Sequence, residues 1–81
     1  SRVINIYRDG TIGLDGQTVT LVELRARLAD VHRQQPDVEL TVRGDGLTHY
    51  QNVAAVMTAC RQAGISEMGI AVAPDSPTRN R

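Results

Sequence analysis

Residues 38–73 hold a strand, a turn, an amphipathic helix and a second strand in succession, an order that leaves the chain very few topologies. VELTVR (38–43) alternates Val38, Leu40 and Val42 with Glu39, Thr41 and Arg43, the period-two pattern of a half-buried strand. Thr48 and Gln51 have the spacing of a capping box, in which the hydroxyl accepts from the Gln51 backbone N–H while the Gln side chain reaches back to Thr48. Val53, Val56, Met57 and Cys60 then recur at helical spacing, and Gly64 stands where a left-handed residue would end the helix. EMGIAVA (67–73) reads as a returning strand with Met68, Ile70 and Val72 on one side. A strand, helix and strand within about 36 residues form a βαβ unit, which predicts parallel strands joined by a right-handed crossover.

Upstream, VINIY (3–7) alternates Val3, Asn5 and Tyr7 against Ile4 and Ile6. Asp9-Gly10 follows, the dipeptide favoured in two-residue type I′ hairpins, and TIGL (11–14) reads as the returning strand. Asp15-Gly16 makes a second turn into the short segment QTV. Thr20 and Glu23 form another capping box, and Leu21, Leu24, Leu28 and Val31 share one stripe of a helix running to about Arg33. Its other face carries Glu23, Arg25, Arg27, Asp30 and Arg33 and is expected to be solvated. Pro36 closes the connection to the next strand. The expected fold is α+β, a two-layer ββαβαβ arrangement with two helices on one face of a small mixed sheet. One domain is expected over residues 1–73, and PDSPTRNR (74–81) is expected to be a flexible tail, since no large apolar residue anchors it.

Eighty-one residues bury only about 60–65% of their unfolded surface, so stability is expected to be marginal and a second copy would help. The sequence has no Phe, no Trp and two Tyr, so its core must come from Val, Leu, Ile, Ala and Met. Nine Arg balance nine Asp plus Glu, a neutral sum that argues against a nucleic-acid partner. One cysteine forms no internal disulfide. No run of about 18 apolar residues is present.

The ordered set of DGTIGLDGQTVTLVELRARL (9–28) and VELTVRGDGLTHYQNVAAVMTACRQAGISEMGIAV (38–72) resembles the periplasmic domain of the ExbD/TolR family of bacterial energy-transducing proteins. The most specific part is a strand ending at Asp45, then Tyr50, a helix with Val53, Val56 and Met57, the Ala63-Gly64-Ile65 stop, and a closing apolar strand. The resemblance covers residues 3–73. It implies a non-enzymatic role, without catalytic, cofactor or metal residues. Proteins of this kind have one N-terminal transmembrane helix bearing an essential Asp and work with an ExbB/TolQ-like membrane protein as a proton-driven motor. That motor energises a TonB- or TolA-like partner, for outer-membrane transport or envelope maintenance. The proton-carrying Asp has no counterpart among these residues, so no carboxylate here takes that role. Dimerisation, sometimes with exchanged strands, and peptidoglycan binding are further implied properties.

Asp45 and Tyr50 match the family pattern and are candidate partner contacts. Each also has a local reading: Asp45 bonding backbone donors of a turn, and Tyr50 packing its ring on the sheet rim. Ile4, Ile6, Ile70 and Val72 are the candidate dimer edge, because an unpaired strand edge in so small a domain invites pairing. Cys60 lies on the apolar face of its helix and reads as a small buried hydrophobe. The competing function is a small cytoplasmic α/β ligand-binding or regulatory module. It would need a pocket between helix and sheet, for which the chain offers little aromatic lining. RNA binding on the open sheet is disfavoured by the neutral charge and the lack of stacking aromatics.

Overall fold

The structure, a computed structural model, describes residues 2–73. The tail expected over 74–81 lies outside the described residues. Seven elements follow in the order β1 (Arg2–Ile6), β2 (Ile12–Leu14), β3 (Gln17–Val19), α1 (Leu21–Gln34), β4 (Glu39–Asp45), α2 (Tyr50–Gln62) and β5 (Glu67–Ala73). The fold is α+β, with the five strands in one mixed sheet ordered β3-β2-β1-β4-β5. The segment QTV thus adds a third strand to the hairpin region. β1 pairs antiparallel with β2 and β2 with β3, whereas β4 runs parallel to both β1 and β5.

Alternation along the strands sets the two faces of the sheet. Ile4, Ile6, Leu14, Leu40 and Val42 are all but inaccessible and form one cluster with Leu24, Leu28, Val56, Ala59 and Cys60 of the helices. Val53, Met57 and Met68 are partly buried against it. No polar or charged residue is buried among the described residues. An all-aliphatic core of this size gives its stabilisation by apolar area alone.

The sheet order corrects the expected dimer edge at two of its four positions. β1 is hydrogen-bonded on both sides, to β2 and β4, so Ile4 and Ile6 sit at 0% and 1% exposure in the core. Their alternation with Val3 and Asn5 reports which face they occupy and nothing about lateral neighbours. β5 is a true edge, with Ile70 59% exposed. Val72 enters through its register opposite Gly44.

The two Asp-Gly turns differ. At the first, the Gly10 N–H donates to the Tyr7 carbonyl at 2.9 Å and the Tyr7 N–H to the Thr11 carbonyl at 2.8 Å, so three residues form the loop. Gly10 is left-handed at φ 90° while Asp9 is not, which excludes the type I′ turn expected there. Asp15 and Gly16, at φ 52° and 77°, both adopt the left-handed region and connect Leu14 to Gln17, as type I′ requires.

The capping boxes differ too. Thr20 Oγ1 accepts from the Glu23 N–H at 3.1 Å and Glu23 Oε1 from the Thr20 N–H at 2.8 Å, closing the box at α1. At α2 the expected Thr48–Gln51 box does not form: the N-cap is His49, without a side-chain cap. Asp45 Oδ1 instead accepts from the Leu47 N–H at 2.9 Å, and the Thr48 N–H donates to the Asp45 carbonyl at 2.9 Å. This turn faces Thr48 inward, where Oγ1 is buried without a hydrogen-bond partner. α2 ends as expected at Gly64, which is left-handed at φ 91°.

Two stability predictions follow from these ends. A Cβ at Gly64 would lie 3.0 Å from His32 Nε2 and would have to hold a left-handed backbone, so Gly64→Ala should lower unfolding free energy by about 1–2 kcal/mol in urea titration. Thr20→Ala should cost about 1 kcal/mol through loss of its cap, whereas Thr48→Val, which removes an unpartnered buried hydroxyl while keeping its shape, should leave the urea midpoint unchanged or raise it. Equal losses at the two threonines would contradict this assignment of the caps.

Candidate functional site

An apolar groove runs between α2 and the free edge of β5. Its near end has a volume of about 350 Å³ and is lined by Gly44, Asp45, Gly46, Thr48, Tyr50, Val53 and Ile70. It continues along the helix past Ala54, Met57, Thr58 and Arg61. The helix repeat produces this lining: Tyr50, Val53, Ala54, Met57 and Arg61 return to one side at intervals of three or four residues. Ile70, on the helix side of β5, forms the opposite wall. Tyr50 is 82% exposed, so its ring is not packed on the sheet rim as the local reading had it.

The ends of the groove carry opposite charges. Asp45, at the end of β4, is engaged with the Leu47 N–H, which establishes its role in the turn. Arg61 donates from Nη2 to Thr58 Oγ1 at 3.2 Å and has no carboxylate partner among the described residues. Asp45 and Tyr50, singled out from the sequence, therefore line the same depression, and Ile70 lines it with them. Met57 and Arg61 were not foreseen as part of a site. Their spacing from Tyr50 was visible, but the placement of this helix face beside a free strand edge was not.

The two sheet edges are unlike. β3 is three residues long, which blunts it as a template for further pairing. β5 has seven residues in unbroken register with β4, no proline and a single charge, Glu67 at its start. Among the described residues, that terminal charge is the one guard against edge pairing that its sequence carries. Gly69 adds to its accessibility, since a Cβ there would meet nothing within 4 Å.

A second depression of about 380 Å³ lies between the β2–β3 hairpin and the helices, lined among others by Thr18, Thr20, Asn52 and Ala55. It borders the three-residue edge strand β3 and gathers no charged residue. On the sheet face away from the helices the Tyr7 ring covers Gly13, where a Cβ would fall 3.1 Å from Cε2. His32 and His49 do not assemble with Cys60 into a thiol site: His32 packs on Gly64, His49 is exposed at the start of α2, and Cys60 is fully buried. Among the described residues no cluster of His, Cys, Asp and Glu could hold a metal ion. No helix described is long and apolar enough to cross a membrane.

Burial pushes the Cys60 thiol up to about 11. Because the thiolate is the reactive form, a thiol reagent at pH 8 should label the native protein far more slowly than the urea-unfolded chain. Equal rates would place Cys60 at the surface.

No curated protein matches the chain. The model of the family of the biopolymer transport protein ExbD/TolR matches residues 2–75, spanning both helices and all five strands, and the chain belongs to that family.

Proposed function

We propose that this chain is the periplasmic domain of a proton-motive-force-driven, ExbD/TolR-type inner-membrane component. Its working surface is the free edge of β5 with the groove beside it. The family's role in biopolymer transport is energy transduction alongside ExbB/TolQ-type proteins. In this reading the domain forms a homodimer and links the motor to a TonB- or TolA-like partner or to peptidoglycan. Its contribution is mechanical attachment, with no bond made or broken.

The observation that carries the proposal is the seven-residue edge of β5, free of proline and charged only at Glu67, lying against an apolar groove. A strand added there would form main-chain hydrogen bonds along β5 and set alternate side chains against Tyr50, Val53 and Ile70. Affinity of this kind comes from backbone pairing, which suits a chain with only two aromatic residues. Asp45 shapes the entrance of the groove and Tyr50 supplies its largest exposed ring.

Ile70→Lys tests the reading. The residue is 59% exposed, so the change should move stability by no more than about 0.5 kcal/mol. Retention of a TonB- or TolA-like periplasmic segment, or of purified peptidoglycan, on the immobilised domain should fall at least tenfold. Undiminished retention of each ligand that the wild-type domain holds would remove β5 from the function.

A further inference from the structure

The direction of the chain reverses across the sheet between β1 and β4. These neighbours run parallel and end level with each other, Ile6 beside Gly44. From those ends the chain departs to opposite sides, back to β2 on one and through α2 to β5 on the other. Connections that diverge beyond the carboxyl ends of adjacent parallel strands leave a crevice, the usual place for a small ligand in an open sheet. Here that crevice has a volume of about 170 Å³ and is lined by Asn5, Ile6, Tyr7, Arg43 and Asp45. It is separate from the β5 groove and independent of the function proposed for that groove, although Asp45 borders both.

Strand register sets the chemistry of the crevice. Asn5 and Arg43 are direct cross-strand partners and alternate with the core residues Ile6 and Val42, so their side chains stand side by side on the face away from the helices. Asp45 leaves the same side of β4 two residues on, roughly 7 Å along the strand from Arg43. Arg43 and Asp45 form no ion pair with each other, and neither has another charged partner among the described residues. Asp45 Oδ1 accepts from the Leu47 N–H, which fixes the carboxylate, and its second oxygen has no protein donor among the described residues. The phenol end of Tyr7 lies over Gly13, whose missing Cβ gives it room, and the half-exposed ring walls the crevice. An unpaired cation and an unpaired anion this close disfavour a simple anion, which meets Asp45, and a simple cation, which meets Arg43. A ligand carrying both charges satisfies the two together. We propose that this crevice binds the zwitterionic head of a free α-amino acid, with Arg43 and the Asn5 amide on its carboxylate, Asp45 on its ammonium and Tyr7 against its side chain. The volume is below the roughly 300–1,000 Å³ of pockets for drug-sized ligands, which suits an occupant of few atoms held with millimolar affinity.

Amide chemical-shift titration of the 81-residue chain with L-leucine, at neutral pH and physiological salt, tests the proposal. Leucine should shift the amides of residues 5–7 and 43–45 saturably. N-acetyl-leucine, which keeps only the anion, and leucinamide, which keeps only the cation, should each bind about tenfold more weakly. Arg43→Gln and Asp45→Asn should each weaken leucine by about tenfold as well; the asparagine keeps an oxygen for the Leu47 N–H, and the blocked ligands put the same question to the unaltered protein. Ile70→Lys, which lies outside the crevice, should leave leucine binding unchanged, so failure of the β5 reading and failure of this one are told apart. Shifts that stay linear throughout the titration, blocked forms that bind as well as leucine, or shifts centred on Tyr50 and Ile70 would each overturn the proposal. So would a neutral monosaccharide that saturates these amides while leucine leaves them unmoved.

Discussion

The domain depends on β4 being hydrogen-bonded along both edges. Its parallel register with β1 and β5 joins the N-terminal hairpin to the βαβ half, and Leu40 and Val42 alternate inward beneath the helices at 1% and 0% exposure. Shifting β4 by one residue would turn both side chains to the solvated face and bring Thr41 and Arg43 into an aliphatic core that contains no polar partner. That cost holds the register, and the register in turn places Ile70 level with Val42 at the sheet edge. The groove follows from this alignment, because α2 begins where β4 ends.

Much of this was legible in the residues. The inward sides of β4 and α1 followed from alternation and from helical spacing, and the left-handed Gly64 stop followed from its position after the apolar stripe. The misses share a cause, which is that neighbours distant in sequence decide among local options. Thr20-Glu23 and Thr48-Gln51 are equivalent as patterns, yet only the first is a capping box, because Asp45 closes a turn that faces Thr48 inward. Both Asp-Gly pairs favour type I′, yet the Tyr7–Thr11 bonds make the first a three-residue loop. Alternation placed Ile4 and Ile6 on the apolar face correctly but could not tell a central strand from an edge.

The candidate site was partly legible for the same reason. Asp45 and Tyr50 stood out in the sequence, and Ile70 was named for its strand. Their convergence on one groove needed the sheet order, as did the inclusion of Met57 and Arg61. An aliphatic domain of this size has little apolar area to spare, and leaving Ile70 and Tyr50 exposed costs it part of that area. Such exposure beside a strand edge is the physical ground on which we propose that another polypeptide docks there.

Amide hydrogen exchange across β5, followed over a wide range of protein concentration, tests this account most directly. In dilute solution the outward-facing N–H groups of β5 should exchange rapidly while those of β1 and β4 stay protected. As concentration rises, protection should spread specifically onto the outward β5 amides. Exchange at β5 that stays fast while protection appears elsewhere, on α1 or on β3, would contradict the assignment of the β5 edge as the surface through which this domain works.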